Sequence, residues 1–138
     1  MDQVKDIMSV EPVTLDAGSP VLDAARRMAR DDIGAVIVKE GGQVCGIVTD
    51  RDIIVRAVAA GKNLAQTSLG DICSKELFAL SPDDNLDEAV KLMRDKAVRR
   101  VPVLSNGQAV GILSLGDLAM QRDRRSVLGQ ISAAPPTH

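Results

Sequence analysis

The sequence predicts a mixed α/β (α+β) fold built from two tandem copies of one β-α-β-β-α unit. Three observations predict it: a gapless internal repeat, apolar spacing that alternates between strand and helix periods, and turn glycines that recur at the same place in each half. Sliding the chain by 65 residues brings Asp6-Ile7 onto Asp71-Ile72, Leu15 onto Leu80, Ala24 onto Ala89 and Met28 onto Met93. Val36 and Val38 then meet Val101 and Val103, Gly42-Gln43 meets Gly107-Gln108, Gly46-Ile47 meets Gly111-Ile112, and Asp52 meets Asp117. Turn positions and core positions repeat together, which marks a repeated supersecondary unit.

Each copy opens with a short lead, Val4 to Met8 or Leu69 to Cys73, followed by a small strand at Val13-Leu15 or Phe78-Leu80. A helix comes next. Ser19-Pro20 predicts a capping hydroxyl before a first-turn proline, and Asp84 is the expected cap in the second copy. Its apolar face reads Val21, Ala24, Ala25 and Met28, against Leu86, Ala89, Val90 and Met93. Strands at Ile33-Val38 and Val98-Val103 lead through Glu40-Gly41-Gly42-Gln43 and Ser105-Asn106-Gly107-Gln108 turns into strands Val44-Val48 and Ala109-Leu113. A second helix spans Arg51 to Ala60 or Gly116 to Arg124, with Gly61 as a stop. The expected boundaries are residues 1–62, a linker 63–68, a second unit 69–127 and a disordered tail 128–138. A three-stranded sheet with two helices buries its apolar surface poorly at half this length, so the two copies are expected to pack together. Pro102 cannot donate to a ladder and is expected where the strand edge faces a cleft between the copies.

Bulk composition excludes several functions. Of 138 residues, 45% are apolar, yet there is one Phe and no Tyr or Trp, so stacking platforms for single-stranded nucleic acid are missing. The net charge of −2 offers no positive field for a duplex, so no nucleic-acid partner is expected. The basic cluster Arg122, Arg124 and Arg125 reads as a solvated helix end. No apolar run is long enough to span a bilayer and no export signal is visible, so no membrane association and a cytoplasmic location are expected. Two cysteines, Cys45 and Cys73, do not make a disulfide scaffold and read as packing residues. The single histidine, His138, lies in the tail. With no nucleophile-base pair, paired carboxylates or metal-ligand cluster, neither catalysis nor a metal is expected.

Two segments carry candidate chemistry. Gly46 to Asp52 and Gly111 to Asp117 each run off a strand into a helix and contain hydroxyl-x-x-Asp. One reading is structural: Thr49 with Asp52, and Ser114 with Asp117, form helix-capping boxes. The other is ligand binding. A helix N-terminus and a hydroxyl suit a phosphate, and an Asp one turn in suits the two hydroxyls of a ribose. The apolar leads at Ile7-Met8 or Ile72-Cys73 could sandwich a base. Arg99 and Arg100 stand where the first copy has Gly34 and Ala35, and one of them can face a cleft to hold phosphate.

Asp6-Ile7-Met8, the two Gly-Ile-x-Thr/Ser-x-x-Asp runs and Val101-Pro102-Val103 together resemble the CBS-domain family, over roughly residues 3 to 124. The stand-alone architecture is similar to small two-CBS bacterial proteins, including the hypoxic-response type. The resemblance implies two tandem CBS domains related by a pseudo-twofold axis, with clefts between them. It also implies a regulatory, non-catalytic sensor of an adenosine-containing ligand: AMP, ADP, ATP or S-adenosylmethionine. No cofactor is required. Carried over by position, Thr49 and Ser114 take the phosphate side, Asp52 and Asp117 the ribose, and Ala35-Val36 with Arg100-Val101 and Pro102 the cleft lining. Family members often dimerise through their helices, so a homodimer is expected. The alternative is a ligand-free interaction module, docking an unidentified protein or a second copy through Ile53, Ile54, Ala57, Val58, Leu118 and Ala119.

Overall fold

The computed structural model describes residues 2–74 and 76–121. The arginine cluster 122–125, the tail and His138 lie outside the described residues. In chain order the elements are α1 (Val4–Ile7), β1 (Ser9–Val10), β2 (Thr14–Asp16), α2 (Val21–Asp31), β3 (Ala35–Glu40), β4 (Gln43–Thr49) and α3 (Asp50–Ile53), which continues as a π turn at Ile54–Val58. Then follow α4 (Leu69–Ile72), α5 (Leu86–Lys96), β5 (Arg100–Ser105), β6 (Gln108–Ser114) and α6, helical over 115–121.

Two three-stranded sheets form, ordered β2-β3-β4 and β1-β6-β5. The hairpins obey the repeat. Gly41 and Gly42, like Asn106 and Gly107, all have positive φ, which is what a two-residue turn matching the strand twist requires. Both ladders carry a bulge at the same place, Val38/Lys39 and Val103/Leu104. Val21, Ala24 and Met28 of α2 pack on Val36, Val38 and Val48; Ala89 and Met93 of α5 pack on Val101, Val103 and Leu113. Ile37 and Pro102 point to the opposite sheet faces and are also fully buried, because β4 lies against β5 and β6. Burial on both faces explains the unbroken apolar runs of β3 and β5.

The leads are exchanged between the copies. Val4 joins the core of the second copy, while Leu69, Ile72 and Cys73 join that of the first. The anchoring is reciprocal: Val4 N–H donates to the Asp84 carbonyl at 2.9 Å, and Leu69 N–H to that of Ser19 at 2.9 Å. β1, a product of the first lead, pairs antiparallel with β6. Gly46 and Gly111 repeat because the exchanged leads cross them. A Cβ on Gly46 would meet Cys73 Sγ, and one on Gly111 would lie 2.8 Å from the Ser9 carbonyl oxygen.

Several local expectations are corrected. Pro20 is itself the N-cap of α2, with no side-chain cap, because the first N–H groups of the helix, on Val21 and Leu22, donate to the Thr67 and Leu64 carbonyls. Asn85, not Asp84, caps α5: its side chain accepts from Glu88 N–H at 2.8 Å, while Asp84 accepts from Ser81 N–H. Val90 lies on the outer face of α5 and is exposed. The strand expected at Phe78-Leu80 shrinks to one bridge, Leu80 with Val103, whereas its counterpart β2 pairs over three residues. Pro102 is the reason. In the first copy Ile37 N–H donates to the Val13 carbonyl at 2.8 Å, and proline has no N–H for the equivalent bond.

Candidate functional site

The ends of β4 and β6 turn directly into helices, and the turn chemistry is the same. Thr49 N–H donates to Asp52 Oδ2 (2.9 Å) and Asp52 N–H to Thr49 Oγ1 (3.1 Å). Ser114 N–H donates to Asp117 Oδ2 and Asp117 N–H to Ser114 Oγ, both at 3.0 Å. Both are complete capping boxes. Each leaves chemistry unspent: the hydroxyl uses an acceptor lone pair, so its O–H remains a donor, and one carboxylate oxygen remains an acceptor.

The second box fronts a cavity between the copies, and the first box does not line it. About 270 Å³ opens between the copies, lined by Ser114 and Asp117 on one side and by Ile33, Gly34 and Ala35 on the other. The segment 9–13 that follows the exchanged lead forms a further wall, and Arg100 stands at the edge. The Arg100 guanidinium lies against Gly34, so close that a Cβ there would be 2.5 Å from Nη2. Arg100 Nη1 donates to Asp50 Oδ1 at 3.3 Å, joining the start of β5 to the first residue of α3. Among the described residues acidic groups outnumber this cation, with Glu11, Asp32 and Asp117 all on the lining. A smaller space of about 220 Å³ lies beyond Asp117, among Asp6, Ile7, Met8, Met120 and Gln121.

The sequence-derived candidates therefore separate. Ser114, Asp117, Arg100 and Ala35 come together. Arg99 is exposed and precedes β5, and its carbonyl accepts from Leu115 N–H at 2.7 Å. Val36, Val101 and Pro102 are buried and do not line the cavity. Thr49 and Asp52 sit at the repeat-related position, where Asp52 Oδ1 lies 3.9 Å from Arg56 Nε, and they do not line it either. Ile72 and Cys73 are core residues, while Ile7 and Met8 face the smaller space. Asp32, Gly34 and the 9–13 wall carry no local motif. The repeat read as two independent units gives no hint that the first lead crosses to the second copy. No group of three or more metal-capable side chains occurs among the described residues.

An exchanged pair of α/β units with a polar-edged cleft between them defines a class of tandem-repeat module. The chain belongs to the CBS-domain family: the CBS domain pattern matches residues 4–58 and 69–122. It is similar to the CBS domain-containing protein YhcV of Bacillus subtilis, 36% identical over 122 residues, spanning 88% of this chain and 86% of YhcV. It is also similar to hypoxic response protein 1 of Mycobacterium tuberculosis, 28% identical over 134 residues, 96% of this chain and 94% of that protein. Among solved structures, the CBS domain pair of protein MJ0100, crystallised with 5′-methylthioadenosine and S-adenosyl-L-methionine, shares the fold. Its TM-score is 0.81 at 24% identity, over 91% of this chain and 98% of that one. The chain is thus a CBS-pair regulatory module, and no described helix is long and apolar enough to cross a membrane.

Proposed function

We propose that this module is a non-catalytic sensor that binds one adenosine-containing ligand, among AMP, ADP, ATP and S-adenosylmethionine, in the cleft bounded by Ser114, Asp117, Arg100 and Ala35. The observation that carries the reading is the meeting, in one cavity, of a free hydroxyl donor, a carboxylate oxygen and a guanidinium on apolar walls. The free oxygen of Asp117 takes the ribose hydroxyls, and the Ser114 hydroxyl and Arg100 take phosphate. Ile33, Val13 and Ile112 supply the apolar surface for the base. The proposed setting is the cytoplasm, where such metabolites are held.

Calorimetric titration of nucleotide-stripped protein with the four ligands tests this. Saturable binding that Asp117→Ala abolishes and Asp52→Ala retains is the expected result. No heat with any ligand up to millimolar concentration would leave both boxes as helix caps only.

A second reading, assembly through helices, is favoured by a separate observation. Ile54, Val55 and Val58 of the π turn and Leu115 and Met120 of α6 are large apolar side chains at least half exposed. Ile53, Ala57 and Leu118, expected on this surface, are core residues instead. Ala119, by contrast, is exposed as expected. We assign the exposed set to a homodimer contact. Sedimentation of Val55→Asp, Val58→Asp protein should show a monomer where the parent is a dimer; a monomeric parent removes this reading.

A further inference from the structure

The two thiols of the chain, far apart in sequence, converge on one glycine. The β4 register pairs Gly46 with Val38 and Val44 with Lys39, which leaves Cys45 as the extra residue of the bulge. Cys45 Sγ lies 3.4 Å from the Val38 carbonyl oxygen. Cys73, which ends α4, projects its Sγ into the space a Gly46 side chain would fill, 3.9 Å from the Ile47 carbonyl oxygen. Cys45 immediately precedes that glycine and packs against the same buried cluster as Cys73. In the second copy the equivalent positions hold Val110 and Met8, so the fold itself does not require sulfur at both. Cys45 is partly buried and Cys73 buried.

We propose that Cys45 and Cys73 form a reversible intramolecular disulfide that pins the exchanged lead 69–73 to β4, with a hydroperoxide as oxidant and a dithiol as reductant. Burial first, and the neighbouring Cys45 second, push the Cys73 thiol up to about 11, which leaves the more accessible Cys45 as the attacking group. The Cys45 thiolate attacks one peroxide oxygen, the O–O bond breaks, and Cys45 becomes a sulfenic acid as the first water leaves. Cys73 sulfur then attacks Cys45 sulfur. The S–O bond breaks, the S–S bond forms, and the Cys73 proton departs with the second water. Two thiols are oxidised and one hydrogen peroxide is reduced to two waters.

The test uses the full chain, treated with hydrogen peroxide at low excess and then alkylated. The expected product is a monomer lighter by two hydrogens, resistant to alkylation at both cysteines, with a Cys45–Cys73 cross-linked peptide and full reversal by dithiothreitol. Its melting temperature should rise by roughly 5 °C or more, because the bond closes the 45–73 loop in the unfolded chain. Cys73→Ser should stop at a sulfenic acid on Cys45 that a dimedone probe labels. Over-oxidation of Cys45 in the parent chain with Cys73 still alkylatable, or cross-linking only between chains, overturns the proposal without reference to whether the Cys73→Ser variant folds.

Discussion

Gly111→Ala and Gly46→Ala are the same substitution at repeat-related positions, and the structure makes their effects unequal. A Cβ on Gly111 would lie 2.8 Å from the Ser9 carbonyl oxygen and 2.9 Å from Met8 Cγ. The first is backbone, so no rotamer change relieves it, and β1 must move off β6. Overpacking of this kind costs about 1–3 kcal/mol. If the lead lifts far enough to expose Val4, now fully buried, roughly 2 kcal/mol more is lost. At Gly46 the nearest backbone atom is the Ser74 oxygen at 3.3 Å, and the closer contact is the tip of the Cys73 side chain. A small rotation there limits the cost to about 1 kcal/mol. We expect Gly111→Ala to lose about 2–4 kcal/mol in urea unfolding followed by far-ultraviolet circular dichroism, at unchanged m-value, and Gly46→Ala about 1. Limited proteolysis before residue 11 should accelerate in Gly111→Ala alone. Equal losses in the two variants, or a Gly111→Ala protein within about 0.5 kcal/mol of the parent, would refute the account of the exchanged leads.

Two further outcomes follow from the helix termini. Asn85→Ala should destabilise by about 1 kcal/mol while Asp84→Ala leaves α5 capped, so circular dichroism melts of the two variants separate the real cap from its neighbour. Asp31, at the last turn of α2, accepts from Arg30 Nε at 3.0 Å and Arg27 Nε at 2.7 Å, and these bonds lower its pKa from 3.8 to about 2. A carboxylate whose folded pKa is depressed contributes stability above its unfolded value and loses it as the pH falls toward the folded one. The Asp31→Asn protein should therefore unfold earlier than the parent in urea at neutral pH, with the gap closing between 3.8 and about 2; a gap constant with pH refutes the pairing.

The repeat carries most of the fold in plain view. Turn glycines, the α2 and α5 faces and the hydroxyl-x-x-Asp boxes all recur because each performs a local task that the copies share. Contacts between copies leave weaker marks. Val4 and Leu69 look alike in sequence, and nothing local says that one crosses to the far sheet. Pro102 was visible as an anomaly, but its consequence, the loss of a strand beside it, depends on which way its nitrogen points. The candidate cleft is legible to the same degree. Ser114 and Asp117 follow from the motif, and Arg100 from the break in the repeat. The choice between Arg99 and Arg100 required the register, and Asp50, Asp32 and the 9–13 wall required the packing.

That break in the repeat has a steric logic of its own. Gly34 stands where the second copy has Arg99, and Arg100 of the second copy lies on Gly34. The glycine is therefore the floor on which Arg100, the one lining cation among the described residues, rests. A Cβ on Gly34 would come 2.5 Å from Arg100 Nη2 and 2.9 Å from Cζ, but these atoms end a flexible side chain that is a third exposed. Unlike Gly111→Ala, Gly34→Ala can be relieved by swinging the guanidinium away and breaking its 3.3 Å pair with Asp50. Such an exposed pair contributes under about 1 kcal/mol, and an alanine at ordinary φ restrains the unfolded chain by a similar amount. Stability should then stay within about 1 kcal/mol of the parent. The consequence should fall on the ligand. With Arg100 displaced, the proposed binding mode has AMP weaken relative to adenosine in paired calorimetric titrations, while adenosine itself, which that mode assigns to Asp117 and the apolar walls, changes little. A fall in both affinities by the same factor would mean that the floor shapes the whole cleft and that Arg100 does not read phosphate.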